Sequence, residues 1–306
     1  MTPSPVRADL PPLPVIDPAT TADLIVAFIR AQLEQTGFTR LVVGLSGGVD
    51  SATVAFLAAR AVGAESLLAV RMPYRTSSPA SETDALRVVA ALGCHSERVE
   101  ITPMVDPLLA LMGDTEADGA RDDASLVRRG NVMARQRMIV LYDKSVEFDA
   151  LVVGSSNKTE ALLGYGTQYG DMAAALMPIG DLYKTQLRAV AEHLGVPPEI
   201  IAKPPSADLW PGQTDEGELG RTYEELDRTL FALVDRRWTV ERSVAAGLDR
   251  DLVEWVAARV ARMEYKRQTP PVAKISLRTP GIDHLYPRRR PGSRRAEPPG
   301  PPISDH

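Results

Sequence analysis

Apolar residues gather in four short runs in the first half of the chain, at positions 41–43, 67–70, 99–101 and 151–153. Between them they recur with helical period over 21–34, 51–62, 81–92 and 126–147. Runs this short and continuously apolar suit strands buried on both faces, and their alternation with amphipathic helices predicts a parallel sheet covered on both sides. The expected fold is therefore α/β, a doubly wound, mostly parallel sheet. Gly63 and Gly93 stand where helix C-caps belong.

Past Asp215 the period becomes helical only. Tyr223, Leu226, Leu230 and Leu233 form one stripe, and Leu252, Val256, Val260 and Met263 form another. Stripes of this kind are core faces far more often than cofactor contacts, so residues 216–280 are expected to be a helical C-terminal part completing a sheet domain over 20–215. Two polar stretches, 113–123 and 204–216, read as loops, and either could be a lid. The proline-rich start, 1–19, reads as a flexible leader, and the arginine- and proline-rich end, 281–306, as a disordered tail.

Composition narrows the classes further. A net charge of −5 over 306 residues gives no general attraction to nucleic acid. No apolar run approaches the roughly 18 residues of a membrane span, and the start lacks the pattern of a secretory signal, so a cytoplasmic protein is expected. Cys94 is the single cysteine, which rules out an intrachain disulfide or a zinc cluster and suits a buried structural thiol. His95, His193, His284 and His306 show no metal-ligand spacing.

The candidate chemistry begins at the first strand, which runs into Gly44, Leu45, Ser46, Gly47, Gly48, Val49, Asp50 and Ser51 before a helix opens. A helix N-terminus has unpaired N–H groups and the positive end of a dipole, and glycines let phosphate oxygens approach the backbone. Ser46 and Ser51 offer hydroxyls, while Asp50 makes sense beside magnesium. A Walker A loop would end in Gly-Lys-Ser/Thr, and no lysine occurs here. Residues 44–48 do satisfy the Gly-x-Ser-x-Gly of a hydrolase elbow, but only one strand and one helix fit upstream, and no histidine is placed to serve Ser46.

Further segments carry a specific resemblance. The loop SGGVDS, with RMPYRTSSP from 71, GNVMARQRM from 130, VGSSNKTE from 153, YGD from 169, PIGDLYKTQ from 178 and PSADLWPGQTDE from 205, resembles the ammonia-dependent NAD synthetases among the PP-loop ATP pyrophosphatases. The resemblance covers about residues 20–280 and implies an adenine nucleotide alpha hydrolase-like fold. Members of that family adenylate the nicotinate carboxylate of deamido-NAD with ATP, releasing pyrophosphate, and ammonia then displaces AMP. The resemblance thus implies that residues 44–51 cradle the ATP phosphates, that Asp50 and Glu160 hold Mg²⁺, and that Lys184 meets the phosphates as a catalytic cation. It further implies that Ser155 and Ser206 touch ATP, that Arg135 and Lys266 contact the dinucleotide, and that Asp171 takes the proton from ammonium. Two carboxylates for a metal and a lysine for the leaving group are also what pyrophosphate departure requires electrostatically.

Three positions depart from the family pattern on the acid side: Gln168 replaces a lysine, Ala175 an aspartate and Tyr265 a histidine. Two readings follow. Either the pocket has drifted and still takes deamido-NAD, since glutamine and tyrosine keep hydrogen-bonding capacity, or the chain amidates a different small carboxylic acid. A nucleotide sensor without turnover is disfavoured, because Asp50, Glu160, Asp171 and Lys184 all persist. No residues remain for an amidase domain, so free ammonia is the expected nitrogen donor unless a separate glutaminase supplies it. The resemblance also implies a homodimer.

Overall fold

The computed structural model describes residues 12–114, 123–206, 208–210 and 212–279. Four parallel strands, β1 (Arg40–Gly44), β2 (Leu67–Arg71), β3 (His95–Arg98) and β4 (Ala150–Val153), form one sheet in the order β3-β2-β1-β4. Around it, in chain order, lie α1 (Pro18–Thr36), α2 (Val49–Val62), α3 (Pro79–Leu92), α4 (Thr102–Leu111), α5 (Asp123–Glu147), α6 (Lys158–Leu163) and α7 (Lys184–Leu194). There follow α8 (Pro198–Ala202), α9 (Asp215–Leu219), α10 (Tyr223–Leu230), α11 (Val240–Ala245) and α12 (Arg250–Arg262).

The period of two along each strand divides the core. Leu41, Val43, Leu67, Ala69 and Val153 face one apolar cluster with residues of α1, α2, α3 and α7. Val42, Leu68, Val70 and Val152 face a second cluster with residues of α4 and α5. The sheet is therefore covered on both faces, as continuous apolar strands require. Because β1 lies between β2 and β4, the strand order reverses beside it, and the carboxyl end of β1 opens at the position where doubly wound sheets bind ligands.

One strand lies elsewhere than its hydrophobicity suggests. Residues 99–101 were expected to form the third strand, but the ladder runs through His95–Arg98. The apolar run follows it, with the Val99 and Ile101 amides donating to the carbonyls of Arg71 and Pro73, and Ile101 buried at the start of α4. As an edge strand, β3 needs no apolar side chains on its open side. Gly93 caps α3 in the left-handed conformation, whereas Gly63 ends α2 with ψ 153°.

Both C-terminal stripes are helical. Tyr223, Leu226, Leu230, Leu252 and Val256 join Leu163 and Tyr183 in a third cluster, which packs α10 and α12 onto α6. Leu13 rests on this cluster, and Gln186 donates to the Pro14 carbonyl. The expected tail, 281–306, and most of the polar stretch 113–123 lie outside the described residues, as do residues 1–11 of the leader. Among the described residues no helix is long and apolar enough to cross a membrane.

Candidate active site

A cleft of about 1090 Å³ opens over the carboxyl ends of the strands. At its base β1 turns into α2 through residues 44–48. Gly47 takes φ +79°, and a β-carbon there would lie 2.1 Å from the Ser81 carbonyl oxygen, so the turn tolerates glycine alone. The Ser46 and Ser51 hydroxyls are 3.0 Å apart, the Gly48 amide donates to Ser46 Oγ at 3.3 Å, and Ser51 Oγ donates to the Gly48 carbonyl at 3.1 Å. Ser46 is thus tied into a loop that opens a helix, where unpaired backbone N–H groups favour an anion.

Asp50, in the first turn of α2, points toward the starts of two other helices. Lys184 opens α7, is 2% exposed, and its ammonium hydrogen-bonds Asp50 and lies 3.2 Å from Glu160 Oε1. Glu160 belongs to α6, which is fixed by a capping box: the Asn157 side chain accepts from the Glu160 amide, and Glu160 Oε2 accepts from the Asn157 amide. Asn157 Nδ2 also donates to Asp50 Oδ1 at 2.8 Å. Burial pushes the Glu160 carboxyl up to about 8; Lys184 opposes that rise, and Asp50 and Asp215 add to it. For Lys184, burial acts downward, but Asp50 and Glu160 outweigh it and hold the ammonium above its usual range.

A second tier backs this triad. The Tyr223 ring lies 5.1 Å from the Lys184 ammonium, and its hydroxyl donates to Asp215 Oδ2 at 2.9 Å. Tyr165 donates to Asp215 Oδ1 at 3.1 Å and to Glu218 Oε2 at 2.8 Å. Burial raises the Asp215 carboxyl, against the pull of Lys184. Tyr223 was legible only as a member of a core stripe. Asp215, Tyr165 and Asn157 had no role in the sequence, although Asn157-x-x-Glu160 is the spacing of a capping box.

Two carboxylates sharing one ammonium form a site that a divalent cation fits. Among the described residues no group of three or more His, Cys, Asp or Glu side chains gathers as a metal site. Asp50 and Glu160 could hold a cation such as Mg²⁺, which commonly takes one or two carboxylates and completes its shell with phosphate oxygens and water.

Asp171 also lines the cleft. It is exposed, its Oδ1 accepts from the Thr167 amide at 2.7 Å, and the protein packed around the carboxyl raises it above the usual range, against the Thr167 hydrogen bonds. Lys266 also lines the cleft, but its ammonium donates to the carbonyls of Gly164 and Gly166 at 2.9 and 2.7 Å. Burial lowers its pKa despite Asp171. Ser155 and Ser206 line the cleft as well, and Ser206 Oγ donates to the Gln213 carbonyl at 2.7 Å.

The remaining expected contacts to the acid do not meet there. Arg135, Ala175 and Tyr265 are exposed, Gln168 is half-buried, and none of the four lines the cleft. Arg135 donates to the Gln168 carbonyl at 3.4 Å. Cys94 is buried and free, with burial raising its thiol.

Comparison with known proteins agrees with this geometry. The NAD synthase family profile matches residues 21–270. The chain is 50% identical over 265 residues to an NH(3)-dependent NAD(+) synthetase of Chlorobaculum tepidum, covering 87% of this chain and 92% of that one. The NH3-dependent NAD synthetase of Campylobacter jejuni superposes with a TM-score of 0.69 at 32% identity, covering 85% of this chain and 100% of the other. An NMN synthetase of Francisella tularensis superposes with a TM-score of 0.72 at 29% identity, covering 84% and 99%. By sequence, fold and cleft, the chain belongs to the NAD synthase family.

Proposed function

We propose that this chain makes NAD from deamido-NAD, ATP and ammonia. The observation that carries the proposal is the meeting of Lys184, Asp50 and Glu160 beside the phosphate loop, in a cleft that Asp171 also lines. A shared cleft for groups suited to pyrophosphate departure and to ammonia activation supports this reading.

Residues 44–51 receive the ATP phosphates at the start of α2, where backbone N–H groups and the helix dipole favour anions. Lys184 turns from the carboxylates to the departing pyrophosphate, and Ser155 and Ser206 contact the nucleotide. Asp50 and Glu160 would hold Mg²⁺, whose chemistry there would be neutralisation of phosphate charge. The nicotinate carboxylate attacks the α-phosphorus and pyrophosphate leaves; ammonia then adds to the acyl carbon and AMP departs with one of the original carboxylate oxygens. Asp171, whose carboxyl is raised above the usual range by burial and so makes a stronger base, accepts the proton that ammonium must lose. Free ammonia is the donor, with no separate glutaminase required.

We further propose a homodimer in the cytoplasm. On α4, Met104, Leu108 and Leu111 are exposed at a spacing that places them on one face, and on α5 Ile139, Tyr142 and Val146 do the same. Apolar faces this exposed on adjacent helices suit a second copy of the chain. Arg135, also exposed on α5 and bonded to the Gln168 carbonyl, would then complete the acid site at the interface.

The test is product analysis after mixing the enzyme with Mg²⁺, ATP, ammonium and deamido-NAD, with nicotinate mononucleotide in a parallel arm. Equal yields of NAD, AMP and pyrophosphate support the proposal. Turnover confined to another acid, or ATP binding without turnover, overturns it.

A further inference from the structure

We infer that Asp227 is a positioning residue that sets Lys184 against Glu160, an inference that rests on the function proposed above. Glu160 and Lys184 sit near the starts of α6 and α7, two short helices joined by a long irregular segment. The Lys158 amide, donating to the Leu182 carbonyl at 2.9 Å, ties the two starts together from within that segment.

Asp227 does so from outside. It belongs to α10, is fully buried and does not line the cleft. Its Oδ1 accepts from Thr159 Oγ1, next to Glu160, at 2.5 Å. Its Oδ2 accepts from the Thr185 amide at 2.9 Å and from Thr185 Oγ1 at 2.8 Å, next to Lys184. Thr159 Oγ1 in turn accepts from the Lys184 amide at 3.1 Å.

The amides of Lys184 and Thr185 are among those left without partners by the first turn of α7, so a carboxylate on another helix caps α7 while gripping α6. Both oxygens are in use, and three donors converge on them. Asparagine has the shape but only one acceptor oxygen, and its NH₂ would face a donor.

The far end of α6 is held by the same C-terminal part. Arg259 donates to the Leu163 carbonyl and Arg267 to the Leu162 carbonyl, each at 2.8 Å. The C-terminal helices thus act as a frame that carries Glu160 to Lys184, with Asp227 as the joint.

The experiment is a double-mutant cycle of Asp227→Asn with Lys184→Met, reading kcat and KM for ATP together with Tm. A displacement of about 1 Å at such a site costs on the order of a hundredfold in rate. In the wild-type background, D227N is expected to lower kcat about tenfold to a hundredfold with KM for ATP little changed. In the K184M background it is expected to cost no further activity while lowering Tm by the same amount. Losses in kcat that multiply across the two backgrounds, or a folded D227N with wild-type kcat, would overturn the inference.

Thr159→Val, which removes the hydroxyl between Asp227 and the Lys184 amide, carries the same test if D227N fails to fold. Should the wild type turn over no deamido-NAD, the substrate reading fails and the cycle is read from kcat on whichever acid does release pyrophosphate, nicotinate mononucleotide first. No Mg·ATP binding at all would overturn both.

Discussion

The ammonium of Lys184 lies between the carboxylates of Asp50 and Glu160, hydrogen-bonded to the first and 3.2 Å from the second. Removing it leaves two half-buried acids facing each other without a cation. Breaking a buried ion pair from one side typically costs about 3–5 kcal/mol. Lys184→Met is therefore expected to lower Tm in metal-free buffer and to recover more of it on adding Mg²⁺ than the wild type gains. A variant as stable as the wild type and indifferent to Mg²⁺ would speak against the cation site.

Glu160 gives the pH dependence. Its folded pKa, about 8, exceeds the ordinary 4.5, so the folded state holds a proton that the unfolded chain has released between those values. Stability from this group is full below the unfolded pKa and falls as pH rises through the window from about 4.5 to about 8. Asp171 and Asp215 are shifted in the same direction. Metal-free protein should melt at progressively lower temperature across that window, and Glu160→Gln should flatten the slope. An equally steep slope in the variant would place its origin elsewhere.

Gly47 is constrained twice, by φ +79° and by the Ser81 carbonyl. A non-glycine residue in such a conformation costs of order 1–3 kcal/mol before any clash is counted. Gly47→Ala should lower Tm and raise KM for ATP at least tenfold, since relief of the clash moves the loop off the phosphate position. Unchanged ATP affinity in steady-state kinetics would argue against residues 44–51 as the cradle.

Lys266 serves two carbonyls of the turn that presents Asp171's partner Thr167. A lysine used only for substrate would, on substitution, cost activity without stability. Lys266→Met is expected to cost both, and differential scanning calorimetry beside turnover measurements separates the cases.

The sequence revealed what depends on period and short motif, and little of what depends on distant side chains meeting. β1, β2 and β4 have apolar centres because both faces are covered, and they were legible. β3 is His-Ser-Glu-Arg at an edge, and its neighbouring apolar run drew the strand away from it. The phosphate loop was legible because its residues are contiguous. Tyr223 was placed correctly in a buried stripe, yet its hydroxyl bond to Asp215 and its ring over Lys184 follow only from the way α10 crosses α7. Asp227 was hidden in the same way, as a charged residue in an otherwise ordinary amphipathic helix.

The adenylation step is traced by oxygen from the acid. With deamido-NAD labelled with ¹⁸O in its nicotinate carboxylate, attack on the α-phosphorus predicts one labelled oxygen in the AMP and one in the amide of NAD. Label appearing in pyrophosphate or inorganic phosphate, or unlabelled AMP accompanying labelled NAD, would contradict the adenylation on which this account of Asp50, Glu160 and Lys184 depends.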